Sequence, residues 1–362
     1  MHIDLKEAVF PLFFQASTFP PLFLLFNQSF PFTNLGALTK LAKPIISSAL
    51  NTSMKALLTT ILIFIGTYGL SAQELYAQAY GNPEDQALVF LHGGPGYNSV
   101  NFERSTAQAL ADQGFYLIVY DRRGEGRSKD NNAKFTFQQT NDDLLGLYKK
   151  YKLKKAVLLG HSFGGIVASK FAEKHPNKVE SIILVGAPVS LQETFKTIIT
   201  STKSIYEAKA DSVNLNYINM LEQMDHSSLQ YSSYCFMHAM QNDFYTPKDL
   251  SEEALAIYNK LKTDSMMLKY AAQMTYEAPQ GFWKNENYTT IDLKSNLQAF
   301  IRDGMKVYGI YGKEDGLYSE AQVAELKEMI GADKLKYLEN CSHNVFIDQQ
   351  TQFIEALSNW VE

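Results

Sequence analysis

From residue 75 onward, short apolar runs alternate with longer stretches of helical period. "ALVFL" (87–91), "FYLIVYD" (115–121), "KAVLLG" (155–160), "VESIILVG" (179–186) and "MKVYGIYG" (305–312) are each apolar at most consecutive positions. That is the pattern of strands buried on both faces of a parallel sheet. "LYAQAY" (75–80) alternates and meets the turn "GNPED", which predicts a further strand, and "KLKYLE" (334–339) predicts a last one. Helices are predicted over about 100–113, 140–151, 163–175, 319–331 and 349–361. Strand and helix in alternation define an α/β fold with a mostly parallel central sheet flanked by helices. The alternation stops between Pro188 and about Ile291, in a stretch rich in Tyr, Met, Ser and Asn without buried strand runs. This predicts a helical cap over 188–290, inserted between a first core segment (73–187) and a second (291–362).

The first residues follow another pattern. "MKALLTTILIFIGTYGLSAQ" (54–73) has a methionine, one lysine, an apolar core and then small residues ending at Ala72. This three-part layout predicts a signal peptide over 54–72, with Met54 as the true start and an exported, periplasmic or secreted, product. Without that signal the chain is expected in the cytoplasm. The apolar run is shorter than the roughly 20 residues of a spanning helix, so no stable membrane anchor is expected after cleavage. Residues 1–53 carry no charge between Glu7 and Lys40 but are broken by Pro11, Pro20, Pro21 and Pro31. They read as an upstream extension, disordered and outside the folded protein.

Composition narrows the partners. Of 362 residues 46% are hydrophobic and 20% charged, with a formal net charge of −5. That balance suits a large globular core and leaves no electrostatic footprint for nucleic acid. Cys235 and Cys341 lie far apart and match no metal spacing, so two buried thiols are expected, with a single disulfide as the alternative. No metal or organic cofactor is expected.

The chemistry is carried by three strand ends. "LLGHSFGGIVASKFA" (158–172) holds G-x-S-x-G as Gly160, His161, Ser162, Phe163 and Gly164, between a buried strand and an amphipathic helix. This is the strand–turn–helix context of a nucleophile elbow, which makes Ser162 the candidate nucleophile. A serine hydroxyl needs a base, and the base an orienting acid. After an elbow serine the chain order is acid, then histidine. Asp315 follows one strand, with Glu314 as runner-up, and His343 follows the next. The stretch "LVFLHGGPGYN" (88–98) ends a strand in bare backbone, suited either to a phosphate or to an oxyanion. No G-x-x-x-x-G-K-[ST] exists in the chain, which removes the usual phosphate loop. The oxyanion donors are then the N–H groups of Gly94, with Gly93 as fallback, and of Phe163. "DRRGEGRS" (121–128) reads as a tight loop whose arginines pair with nearby carboxylates.

Together these motifs resemble the α/β-hydrolase superfamily from about Leu75 to the C-terminus. Within it, "HGGPG" (92–96) followed by "DRRGEGRS" looks like the proline iminopeptidase group of serine peptidases. The resemblance implies an eight-stranded core, a helical cap, a Ser162–His343–Asp315 triad, and Gly94 and Phe163 as oxyanion hole. Three features depart from that group. Its elbow usually reads G-G-S-W-G, its arginine loop begins Asp-Gln-Arg-Gly where this chain has Arg122, and the segment before Ala87 has room for one clear strand. The iminopeptidase mechanism further implies cap carboxylates that bind a free N-terminal amine. Glu252, Glu253 and Glu277 are the candidates, with Glu207 also available. The leading expectation is cleavage of N-terminal proline or similar residues from small peptides. An esterase, or another small-acyl hydrolase, with the same triad is the first alternative. A non-catalytic binding protein on a hydrolase scaffold is the second.

Overall fold

The structure, a computed structural model, describes residues 74–361. Seven strands form one sheet in the order β1-β3-β2-β4-β5-β6-β7: Ala77–Tyr80, Gln86–Leu91, Phe115–Tyr120, Ala156–His161, Val179–Val185, Lys306–Gly312 and Leu335–Leu338 for β1 to β7. β1 runs antiparallel to β3 at one edge and all other neighbours are parallel. Every apolar run read as a strand is one. Among the described residues the sheet has seven strands rather than the eight the resemblance implies.

The continuous apolar character of the central strands follows from burial on both sides. Val89, Leu91, Ile118, Leu158, Ile182 and Leu184 face one core cluster. Their alternate neighbours Leu88, Phe90, Leu117, Val119, Val157, Leu159 and Ile183 face the other. Successive strand residues point to opposite faces, so a strand covered twice needs apolar side chains at nearly every position. The helices Phe137–Lys150, Phe163–Lys174, Lys294–Arg302 and Glu320–Ile330 supply apolar residues to the first cluster. Residues of 100–112 and of the helix Gln350–Val361 fill the second.

Between β5 and β6 the chain leaves the sheet. Six helices fill this insertion: Leu191–Ala208, Ser212–Leu221, Leu229–Gln241, Glu252–Leu261, Ser265–Tyr270 and Glu277–Glu286. Its two ends meet, because Leu191 N–H donates to Ile291 O at 3.1 Å and Leu293 N–H to Val189 O at 2.7 Å. Side chains at Ser190, Ser228, Ser251, Asp211 and Asp264 precede helices; all but Ser190 cap theirs by accepting an N–H of the first turn. Cys235 and Cys341 are both free and buried.

Candidate active site

The site lies where β2, β4, β6 and β7 end, on the carboxyl edge at which residues distant in sequence converge in parallel sheets. β4 stops at His161 and the helix Phe163–Lys174 starts two residues later. Ser162 occupies the turn between them with φ 53° and ψ −125°. For a non-glycine residue this is strained backbone, of the kind that persists where neighbouring structure enforces it. The Ser162 N–H is held by Val185 O at 3.0 Å. Phe163 opens the helix, so its N–H has no intrahelical partner and faces outward from the positive end of the helix.

Asp315 and His343 come together. Nδ1 of His343 lies 2.8 Å from Oδ2 of Asp315, and Leu317 N–H donates to the other Asp315 oxygen at 3.1 Å. Both residues are buried, at 2% and 5% exposure, so the contact is shielded from bulk water. Glu314, one residue away, faces elsewhere and accepts the Lys248 N–H at 2.6 Å. Neither the Ser162 hydroxyl nor Nε2 of His343 has a hydrogen-bond partner among the described residues. The Ser162 hydroxyl and the outer His343 nitrogen are thus uncommitted.

Beside Ser162 lies a cavity of about 20 Å3, room for about one water. Gly94, Ser162 and Phe163 line it together with Leu191, Phe236 and Tyr288. The lining holds no carboxylate. Glu253 accepts the Thr351 hydroxyl at 2.6 Å, while Glu252, Glu277 and Glu207 are exposed. The structure does not bring these glutamates to the cavity. Of the cap aromatics, Tyr288 lines the cavity and Phe282 stacks edge-on against Phe163, with centroids 5.2 Å apart. Trp283 is 36% exposed and donates to Ser227 O at 2.9 Å. Among the described residues no group of three or more His, Cys, Asp or Glu is placed to hold a metal ion.

Two groups near the site have roles the sequence did not disclose. His161 Nε2 lies 3.1 Å from the His343 carbonyl oxygen, an acceptor, so this nitrogen carries the proton and braces the His343 backbone. Burial, and then the neighbouring His343, push its pKa down to about 3, which keeps it neutral. The only sequence signal was its place beside the serine. Asp348, buried in the short helix Val345–Asp348, accepts the Ser342 N–H at 2.9 Å and the hydroxyl of Tyr258, on a cap helix, at 2.9 Å.

Burial pushes the Asp348 carboxyl up to about 7, against the opposing pull of those two hydrogen bonds. Its unfolded value is near 4, so between about pH 4 and pH 7 the folded state binds more protons than the unfolded one. Stability therefore falls as pH rises through that window and levels off above it. Asp348→Asn carries no charge to desolvate and keeps one acceptor and one donor for the same partners. Its stability relative to wild type is expected to rise by on the order of 2 kcal/mol between pH 4.5 and 7.5. Thermal melts at the two pH values check this; an unchanged difference would show that Asp348 ionises without penalty.

The alpha/beta hydrolase fold family matches residues 86–350, and the chain belongs to that family. Within it the chain is similar to a proline iminopeptidase of Lactobacillus helveticus, 24% identical over 313 residues, covering 83% of this chain and 98% of the relative. A proline iminopeptidase of Lactobacillus crispatus is 25% identical over 303 residues, covering 80% and 94%. Among solved structures, a proline iminopeptidase-related protein of Thermus thermophilus superposes with a TM-score of 0.58 at 22% identity, covering 81% of this chain and 96% of that one. An esterase of Exiguobacterium antarcticum superposes with a TM-score of 0.51 at 21% identity, covering 79% and 95%. These superpositions establish the shared fold. Membership of that family, with the iminopeptidase relatives, supports a hydrolase.

Proposed function

We propose that this hydrolase acts by acyl transfer through Ser162. Ser162 attacks an acyl carbon, His343 takes and returns the proton, and Asp315 holds the imidazole with Nε2 toward the serine. The N–H groups of Gly94 and Phe163 stabilise the tetrahedral oxyanion, and water releases the acyl group. The observation that carries this reading is the strained Ser162 at a helix start, sharing one cavity with the two donor residues.

The substrate we propose is a short peptide with N-terminal proline. Its support is the similarity to proline iminopeptidases along nearly their whole length. One specific observation favours a second reading, a small-acyl ester: no carboxylate lines the cavity to receive a free amine. Export through residues 54–72, which lie outside the described residues, belongs to the same proposal. N-terminal sequencing of natively expressed protein is expected to begin at Gln73.

Comparing kcat/KM for a prolyl anilide, its N-acetyl form and a short-chain aryl ester separates the two readings. The peptidase reading predicts that acetylation removes at least about 100-fold, since an unpaired buried polar group costs a few kcal/mol. Equal rates for the free and blocked amine, with the ester fastest, would assign the chain to small-acyl esters.

A further inference from the structure

The loop Asp121–Ser128 pairs its arginines with carboxylates, as its composition foretold: Arg127 with Asp121 and Glu103, Arg123 with Asp130 and Asp143, and Arg122 with Glu125. The third pair differs from the others in what else it touches. Arg122 is 2% exposed and Glu125 is fully buried. Nε of Arg122 donates to Glu125 Oε1 and Nη2 to Oε2, each at 2.9 Å, a bidentate fork. The same guanidinium donates from Nη2 to Gly93 O at 2.6 Å and from Nη1 to His92 O. Glu125 Oε2 in turn accepts the Gly96 N–H at 2.7 Å. One buried ion pair therefore holds the backbone at residues 92, 93 and 96.

The consequence follows from peptide geometry. In a trans peptide the C=O of one residue and the N–H of the next lie in one plane and point in opposite directions. Anchoring Gly93 O on Arg122 directs the Gly94 N–H away from Arg122, and anchoring His92 O does the same for the Gly93 N–H. Ser162 stands next to this stretch: a Cβ built on Gly93 would lie 3.2 Å from Ser162 Cβ, and Gly94 and Ser162 line one cavity. The Gly94 N–H itself has no partner among the described residues. Arg122 also lies over the Phe163 ring, 5.2 Å from its centroid, and so touches both halves of the donor set. His92 completes the frame. Its Nε2 accepts the Arg122 N–H at 3.0 Å, which places its proton on Nδ1, 2.8 Å from Gly93 O.

We infer that Arg122 and Glu125 are positioning residues for catalysis, a buried clamp that fixes the direction of the oxyanion-hole N–H at Gly94. The inference rests on the acyl-transfer reading above and extends it to a loop whose sequence signature reads as structural. A lysine at 122 is a point charge and cannot hold two carbonyls and a carboxylate in one plane. A pair replaced together by apolar groups of similar volume leaves no buried charge behind, so fold stability and loop direction become separable.

The test compares wild type, Arg122→Met/Glu125→Leu, Arg122→Lys and Glu125→Gln. The readouts are kcat and KM on the faster of the prolyl anilide and the aryl ester, affinity for a boronic acid that forms a tetrahedral serine adduct, and Tm. For the double variant kcat is expected to fall about 10- to 100-fold with KM within about threefold, since misdirecting one donor costs at most what deleting it does. Boronate affinity should fall by a similar factor. Arg122→Lys should recover less than half of the loss on a logarithmic scale. A folded double variant with kcat and boronate affinity within twofold of wild type would overturn the inference. Should the double variant fail to fold, Glu125→Gln decides: it keeps the shape of the pair, and an undiminished kcat there overturns it equally. A wild-type chain that neither turns over substrate nor reacts with a fluorophosphonate overturns the hydrolase reading and the clamp with it. An active wild type with undisturbed variants overturns the clamp alone.

Discussion

Ser162→Ala is expected to lower kcat by about 10^5- to 10^6-fold and to abolish fluorophosphonate labelling while leaving Tm near that of wild type. The size of the effect follows from the division of labour in the site. In the proposed mechanism only the Ser162 hydroxyl forms the acyl bond, and the His343–Asp315 pair, joined at 2.8 Å, serves that hydroxyl. His343→Ala should therefore cost nearly as much, and the double variant scarcely more than either single one, because the two act as a unit. Asp315→Asn is expected to cost about 10^4-fold, by presenting the wrong imidazole tautomer to the serine. The fold should tolerate Ser162→Ala. The strain at φ 53° is enforced by the sheet and the elbow helix, not by the hydroxyl, and alanine bears it equally well. A Ser162→Ala protein that hydrolysed substrate within tenfold of wild type would remove Ser162 from the mechanism.

What the sequence disclosed and what it hid divide along a physical line. Local periodicity is a property of a few consecutive residues, so the runs 87–91, 115–121, 155–160, 179–186 and 305–312 were legible as strands, and the elbow helix as a helix. The residues brought to the carboxyl edge were legible for the same reason: they are the ones that follow the ends of those runs. The choice of Asp315 over Glu314 was less so: both follow β6 within a turn, and only the approach of His343 to Asp315 separates them. The cap is different. Whether Glu252 or Glu253 meets a substrate depends on how one helix is rotated about its axis, where adjacent positions point about 100° apart. It depends also on which long-range partner claims each carboxylate. Thr351, 98 positions away in the chain, takes Glu253. The same limit hid the clamp. Arg122 and Glu125 stood in view at (i, i+3), but their meaning lies in the carbonyls of His92 and Gly93, which only the pairing of β2 with β3 brings within reach.

The second large effect is expected at Gly164, where the G-x-S-x-G motif meets the strand beside it. A Cβ there would lie 1.9 Å from Leu91 O, 2.6 Å from the Leu91 carbonyl carbon and 3.0 Å from His92 O. All three are backbone atoms of β2 and the turn that follows it, so no side chain can rotate aside. Relief requires the elbow helix to move away from β2, or β2 to bend out of register with β3 and β4, which flank it. Gly164→Ala is expected to cost about 3–5 kcal/mol and to lower Tm by roughly 10 °C. It should reduce kcat as well, because His92 and Gly93 are carried along when the end of β2 shifts. Gly146→Ala is the contrasting case. Gly146 lies exposed within the helix Phe137–Lys150, and a Cβ there meets nothing within 4 Å. That substitution removes only the entropic handicap of glycine in a helix and is expected to stabilise the protein by about 0.5–1 kcal/mol. Melting curves of the two variants measure the difference directly. If Gly164→Ala melted with wild type, the elbow helix would not pack against β2 as closely as described. The glycine would then serve the turn alone, and the positions of the Gly94 and Phe163 N–H groups relative to Ser162 would have to be drawn anew.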